Sequence, residues 1–210
     1  MKFSYAISGA LLWLLLAATV TPAGVIVLRP GTSVTVSFDD LRLREKGTPP
    51  IALPGVGATA ILSLDESGTV LSITLKNVSL AGTGAALYAL DLDLPQKLVN
   101  ATRMTASFSG FPGGADWLGP VDKAALGSFV FAARETVLRR LDDFLSAQTA
   151  LPTGFLQAGQ QGKITVTIAL PPDARGPLRL SPVVYFLIPH PQAPLEKRLM
   201  LVAANGQRAN

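Results

Sequence analysis

The sequence predicts a mainly β protein: an antiparallel β-sandwich with one amphipathic helix inserted in it. Three observations carry that expectation. Apolar and polar residues alternate with a period of two in one short segment after another. Sixteen prolines and 19 glycines punctuate the chain, as turns do between short strands. Hydrophobic residues make up 49% and charged residues 15%, the reverse of the balance that keeps a chain disordered. Aromatics are only 7%, so the core must come from Leu, Val, Ile and Ala.

The elements follow in order. Val25 to Leu28 is a short β-branched run stopped by Pro30-Gly31. Ser33 to Phe38 alternates cleanly, with Val34, Val36 and Phe38 inward and Ser33, Thr35 and Ser37 outward. A polar loop with Pro49-Pro50, Pro54-Gly55 and Gly57 is too proline-rich for a central strand. Ala60–Leu64 and Thr69–Leu75 flank the turn Asp65-Glu66-Ser67-Gly68 and form a hairpin, with Leu71, Ile73 and Leu75 on one face. Ala86 to Leu94 places Leu90, Leu92 and Leu94 in the core, and Asp91 and Asp93 outside. Met104 to Phe108 continues the alternation.

The texture then changes. Phe111 to Pro120 reads as a loop, and Ser128 to Ala133 suits either a strand or a helix start. Arg134 to Gln148 is the expected helix. Leu138, Leu141 and Leu145 make its apolar stripe, Glu135/Arg139 and Arg139/Asp143 are four apart, and Pro152 marks its end. Strand texture returns in Gly162–Leu170, Leu178–Leu180, Val183–Ile188 and Leu199–Val202. Val183–Ile188 suits a strand buried on both faces. Asn205 to Asn210 reads as a loose tail. The sandwich, of immunoglobulin-like or jelly-roll type, is expected to be a single domain over 24–204, with its helix at about 134–148.

Residues 1–23 point to export. Lys2 precedes an apolar run from Ala10 to Val20, and Thr21 and Ala23 are small residues ahead of a plausible cut at Gly24. The competing reading is a retained anchor, with the apolar stretch extended through Val25 to Leu28. Pro22 and Gly24 interrupt that extension where a signal peptide would be cut. Secreted, periplasmic or cell-surface location is expected. The chain has no cysteine, which removes disulfides, thiolate metal sites and cysteine nucleophiles, and fits a bacterial export substrate.

The net charge of +4 does not form a nucleic-acid stripe. Arg139-Arg140 and Lys197-Arg198 are the adjacent basic pairs, and no aromatics interleave with them. An anionic envelope or polysaccharide is a better match. His190, between two prolines, is the only histidine and cannot make a multi-histidine zinc site. There is no Gly-x-Ser-x-Gly elbow and no phosphate-binding glycine loop. Asp39-Asp40, Asp65-Glu66 and Asp91/Asp93 have three readings: solubilising outer-face groups, loop oxygens for calcium, or the carboxylate pair of a hydrolase. Trp117 has two: a platform for a sugar, or an anchor tying its loop to the core. For a carbohydrate ligand, Trp117 and Tyr88 are the candidate binding aromatics. Asn77-Val78-Ser79 and Asn100-Ala101-Thr102 match the N-glycosylation pattern.

The hairpin Ile61 to Leu75, the phrase Lys76-Asn77-Val78-Ser79 and the strand Leu90-Asp91-Leu92-Asp93-Leu94 resemble bacterial exported β-sandwich proteins of the PEP-CTERM-associated and cohesin-like kind. In those, a Leu/Thr strand often ends in Leu-x-Asn-x-Ser. The resemblance covers Ser33 to Phe131. The chain lacks the Pro-Glu-Pro phrase, the C-terminal apolar helix and the terminal basic cluster of the sorted members, so the resemblance implies the fold and not that sorting route. The function expected is a non-enzymatic binding or structural module. Its partner would be an envelope or extracellular protein or polysaccharide, with no nucleic acid and no required cofactor. Membrane contact is expected only if residues 1–23 are retained. The alternatives are a carboxylate-based secreted hydrolase and a membrane-tethered envelope protein.

Overall fold

The computed structural model describes residues 24–39, 41–43, 51–92, 103–113, 117–123, 128–133, 154–169, 176–189 and 199–208. The expected signal segment, the expected helix at 134–148, Asp40, Asp93, His190 and the Asn100 sequon lie outside them. Fifteen strands run through the described residues. They are β1 (Ile26–Leu28), β2 (Ser33–Phe38), β3 (Arg42–Leu43), β4 (Ile51–Ala52), β5 (Ala58–Leu64), β6 (Val70–Asn77), β7 (Ala86–Leu92) and β8 (Arg103–Ser109), then β9 (Trp117–Lys123), β10 (Ser128–Ala133), β11 (Gln161–Ala169), β12 (Leu178–Leu180), β13 (Pro182–Pro189), β14 (Leu199–Asn205) and β15 (Gln207–Arg208).

The pairings are antiparallel. A six-stranded sheet has the order β15-β2-β5-β6-β11-β8, and a five-stranded sheet the order β14-β13-β7-β10-β9. β1 with β12, and β3 with β4, make two short ribbons. The mainly β, antiparallel expectation is thus what the molecule shows.

Residue alternation explains the six-stranded sheet directly. β2, β5, β6 and β11 each bury every second residue, as in Val34, Val36 and Phe38 of β2 or Ile164, Val166 and Ile168 of β11. Their buried faces join Leu87, Leu90, Phe131 and Phe186 of the other sheet in one hydrophobic cluster. Each such aliphatic or aromatic side chain contributes roughly 1.5–3 kcal/mol when fully buried. Phe108 of β8 meets Phe131 of β10 with ring centroids 6.3 Å apart, and Phe111 stacks on Trp117 at 4.3 Å. At the opposite edge the chain passes from β14 of one sheet to β15 of the other through Gly206. A Cβ there would press on Val36, Phe38 and Pro182, so only glycine fits this crossing.

Several expectations need correction. The segment read as a loop up to Pro120 contains the start of β9. Val121 and Leu118 pair with Val130 and Ala132, so Gly119 and Pro120 face a single residue of β10. This is a β-bulge on an edge strand, where the missing proline N–H costs no ladder bond and Gly119 takes φ +148°. Ser128–Ala133 resolves as strand β10. β7 is buried on both faces: Leu87 and Leu90 join the core cluster, Phe155 and Tyr185 pack on Tyr88, and Tyr185 lies against Asp91. Asp91, expected outside, is therefore only 9% exposed. Gln207 and Arg208, expected in the tail, pair with Ser37 and Val36.

Candidate functional site

The two aromatics proposed as sugar platforms are core residues. Trp117 is 2% exposed; its indole N–H donates to the Gly154 carbonyl oxygen at 2.5 Å, and its ring stacks on Phe111. That geometry ties β9 to the segment before β11 and presents no open ring face to a ligand. Tyr88 is 7% exposed. Tyr185 pairs with Ala89 and Phe186 with Leu87, so Tyr88 is the extra residue of a second bulge. Its ring stacks on Phe155 at 5.7 Å and leans on Tyr185 at 6.2 Å. The structure does not bring Trp117 and Tyr88 together on a surface.

Around Tyr88 lies a buried polar group. Burial pushes its hydroxyl well above the ordinary tyrosine range, and the neighbouring Tyr185 adds to this. Tyr185 is shifted the same way, first by burial, then by the negative charge of Asp91 and by donating a hydrogen bond to that carboxylate. Asp91 and Tyr185 are diagonal neighbours, since Asp91 pairs with Val183 and Ala89 with Tyr185. Sequence alternation missed this pair because it took Asp91 for an outer-face residue.

Asn77, a polar residue with no exposed surface, makes three side-chain hydrogen bonds. Its amide N–H groups donate to the carbonyl oxygens of Ala85 at 2.9 Å and Leu156 at 2.7 Å, and its side-chain oxygen accepts from the Ser79 N–H at 3.0 Å. The Ser79 hydroxyl in turn accepts from the Gly57 N–H at 3.1 Å and donates to the Gly57 carbonyl oxygen at 3.2 Å. Three chain segments, around 57, 85 and 156, are pinned to the end of β6 by two side chains. The Asn77-Val78-Ser79 sequon is thus a structural clamp. A glycan on this nitrogen would remove a donor and put a sugar into the core.

Among the described residues, Asp65, in the β5–β6 turn, and Asp91, in β7, lie on different sheets. Asp65 caps the β5–β6 turn: one oxygen accepts from the N–H groups of Thr69 at 2.7 Å and Val70 at 2.8 Å, and the other accepts from the Ser67 hydroxyl. These bonds, that of Ser67 first, hold its carboxyl below the usual range. Asp91 belongs to the other sheet. Among the described residues no three of His, Asp and Glu come together as a metal-ligand group, and no helix is long and apolar enough to cross a membrane. A shallow hollow of about 210 Å³ is lined by Gly24 to Val27 and Val34, with no titratable side chain in its wall.

What the sheets present outward is different in kind. On the six-stranded sheet the register sets Ser33 opposite Ser63, Ser63 opposite Ser72, Ser72 opposite Thr165 and Thr165 opposite Ser107. One row of five hydroxyl side chains crosses five strands, all at least partly exposed. The Ser63 hydroxyl donates to that of Ser33 at 3.0 Å. The next row holds Thr35, Ile61, Thr74, Lys163 and Ser109. Period-two alternation had marked several of these residues as outward, but nothing in the sequence aligned them across strands. Against known proteins, the chain matches no family model, no curated protein and no solved structure.

Proposed function

We propose that this chain is an exported, non-enzymatic β-sandwich module that binds a partner, or does structural work, at the cell envelope or outside the cell. The observation that carries this reading is the division of labour between inside and outside. Among the described residues, the buried polar side chains Asn77, Ser79 and Asp91 and the half-buried Tyr185 are engaged with neighbouring protein groups. The six-stranded sheet meanwhile offers a broad outward face of serine and threonine. Two sheets joined through one hydrophobic cluster suit a sandwich of the immunoglobulin-like or jelly-roll kind, and a chain without disulfides has to rely on such a core outside the cell. Lys2, the apolar run Ala10–Val20 and the small residues Thr21 and Ala23 support export.

Fractionation of a bacterial host expressing the full chain, followed by N-terminal mass analysis, tests the reading. The expected result is soluble protein beginning near Gly24 in the periplasm, envelope wash or medium. Soluble cytosolic protein that retains Met1 would overturn it. Protein that retains Met1 in the membrane fraction would replace export by tethering.

A further inference from the structure

The face described above has a charge bias as well as a chemistry. None of the residues in the six strands β15, β2, β5, β6, β11 and β8 is Asp or Glu, while Lys76, Lys163, Arg103 and Arg208 are basic. The nearest carboxylates along the chain, Asp39, Asp65 and Glu66, follow the last residues of β2 and β5 and are not in the strands. Lys76 pairs with Gln161, two residues from Lys163 on the same strand. The two lysines are thus diagonal neighbours about 7–8 Å apart at the backbone. Both are exposed, as are Gln161 and Gln207. With strands about 4.8 Å apart, the row from Ser33 to Ser107 spans about 19 Å of nearly continuous hydroxyl.

We infer that this face binds an acidic polysaccharide. The inference rests on the reading of the chain as an exported binding module and names its ligand class. Serine, threonine and glutamine both donate and accept hydrogen bonds, which matches the hydroxyls of a sugar chain. Lys76 and Lys163 supply charge-assisted bonds to its carboxylate or sulfate groups, with no acid in the strands to repel them. The outward side chains of these strands include no aromatic ring on which a nucleobase would stack. Ile61, 46% exposed, and the partly exposed Val70 are the large aliphatic side chains that point outward from these strands, too few to enter a lipid layer.

Affinity electrophoresis of the purified mature chain tests this, with gels containing polygalacturonate, dextran sulfate or neutral dextran, and single-stranded DNA as competitor. The acidic gels are expected to retard the protein and neutral dextran to leave it unmoved. K76E/K163E, two exposed substitutions, is expected to weaken the acidic interaction at least about tenfold with an unchanged unfolding midpoint. S72V/T165V keeps strand propensity and both lysines, and is expected to weaken binding to polygalacturonate with charge intact. Failure of both acidic gels to retard the wild type overturns the inference. So does equal retardation of K76E/K163E, or displacement by DNA at lower concentration than by free polygalacturonate. An exported protein that ignores the acidic gels sinks the ligand class alone, whereas cytosolic protein with Met1 intact sinks the reading beneath it.

Discussion

At the scale of single residues, the interior of this protein is decided by what each buried polar group can reach. Asn77 satisfies two carbonyls and one N–H that would otherwise be stranded where the end of β6, the start of β7 and the segment before β11 converge. A buried polar group left without its partner costs about 1–3 kcal/mol. Asn77→Ala is therefore expected to lower stability by about 3 kcal/mol in urea unfolding. Asn77→Asp is expected to do no better, because it replaces the donating amide by a carboxylate oxygen, an acceptor facing two carbonyl acceptors. Wild-type stability in both variants would remove the clamp from the account. The sequence already held Asn77 and Ser79 in the Leu-x-Asn-x-Ser phrase, but their partners are residues 85, 156 and 57, and no local pattern links those. Trp117 shows the same limit: its glycine-rich surroundings suited both a sugar platform and an anchor, and burial against Phe111 and Gly154 selects the anchor.

At the scale of elements, local chemistry explains most of the strands and their turns. The β5–β6 hairpin was legible because Asp65-Glu66-Ser67-Gly68 separates two alternating runs, and the structure adds the reason it closes: Asp65 accepts two backbone N–H bonds across the turn. Its folded carboxyl titrates below its unfolded value. The contribution is therefore present above about pH 4 and lost as pH falls through the folded pKa. Asp65→Asn keeps the acceptor without the charge, so its thermal midpoint is expected to vary less with pH below about pH 4 than that of wild type; identical acid profiles would contradict this. β9 was illegible for a physical reason. Gly119-Pro120 signals a turn, yet an edge strand with a bulge accommodates both residues. Alternation also misjudged Asp91, because the period-two rule assumes one wet face and β7 has none.

At the scale of the whole molecule, the five-stranded sheet holds two tyrosines whose hydroxyls are pushed upward by burial and, for Tyr185, by Asp91 as well. A raised folded pKa means stability is fully present below the unfolded value near 10 and is lost as pH rises above it. The unfolding midpoint is accordingly expected to fall as pH climbs past about 10, with tyrosinate absorbance appearing together with unfolding. Tyr185→Phe is expected to flatten that alkaline decline, and ionisation of both tyrosines in the still-folded protein would refute the assignment. By itself, the sequence determined that this chain is mainly β, where most strands lie and which of their residues alternate inward, because side-chain direction along a strand is a local property of the backbone. Only the tertiary structure decided that Asp91 is interior, that Trp117 and Tyr88 are core rings, and that serines and threonines from five strands line up in one row. Those outcomes depend on which strands become neighbours and which become edges, and neighbours are chosen by contacts far apart in the chain.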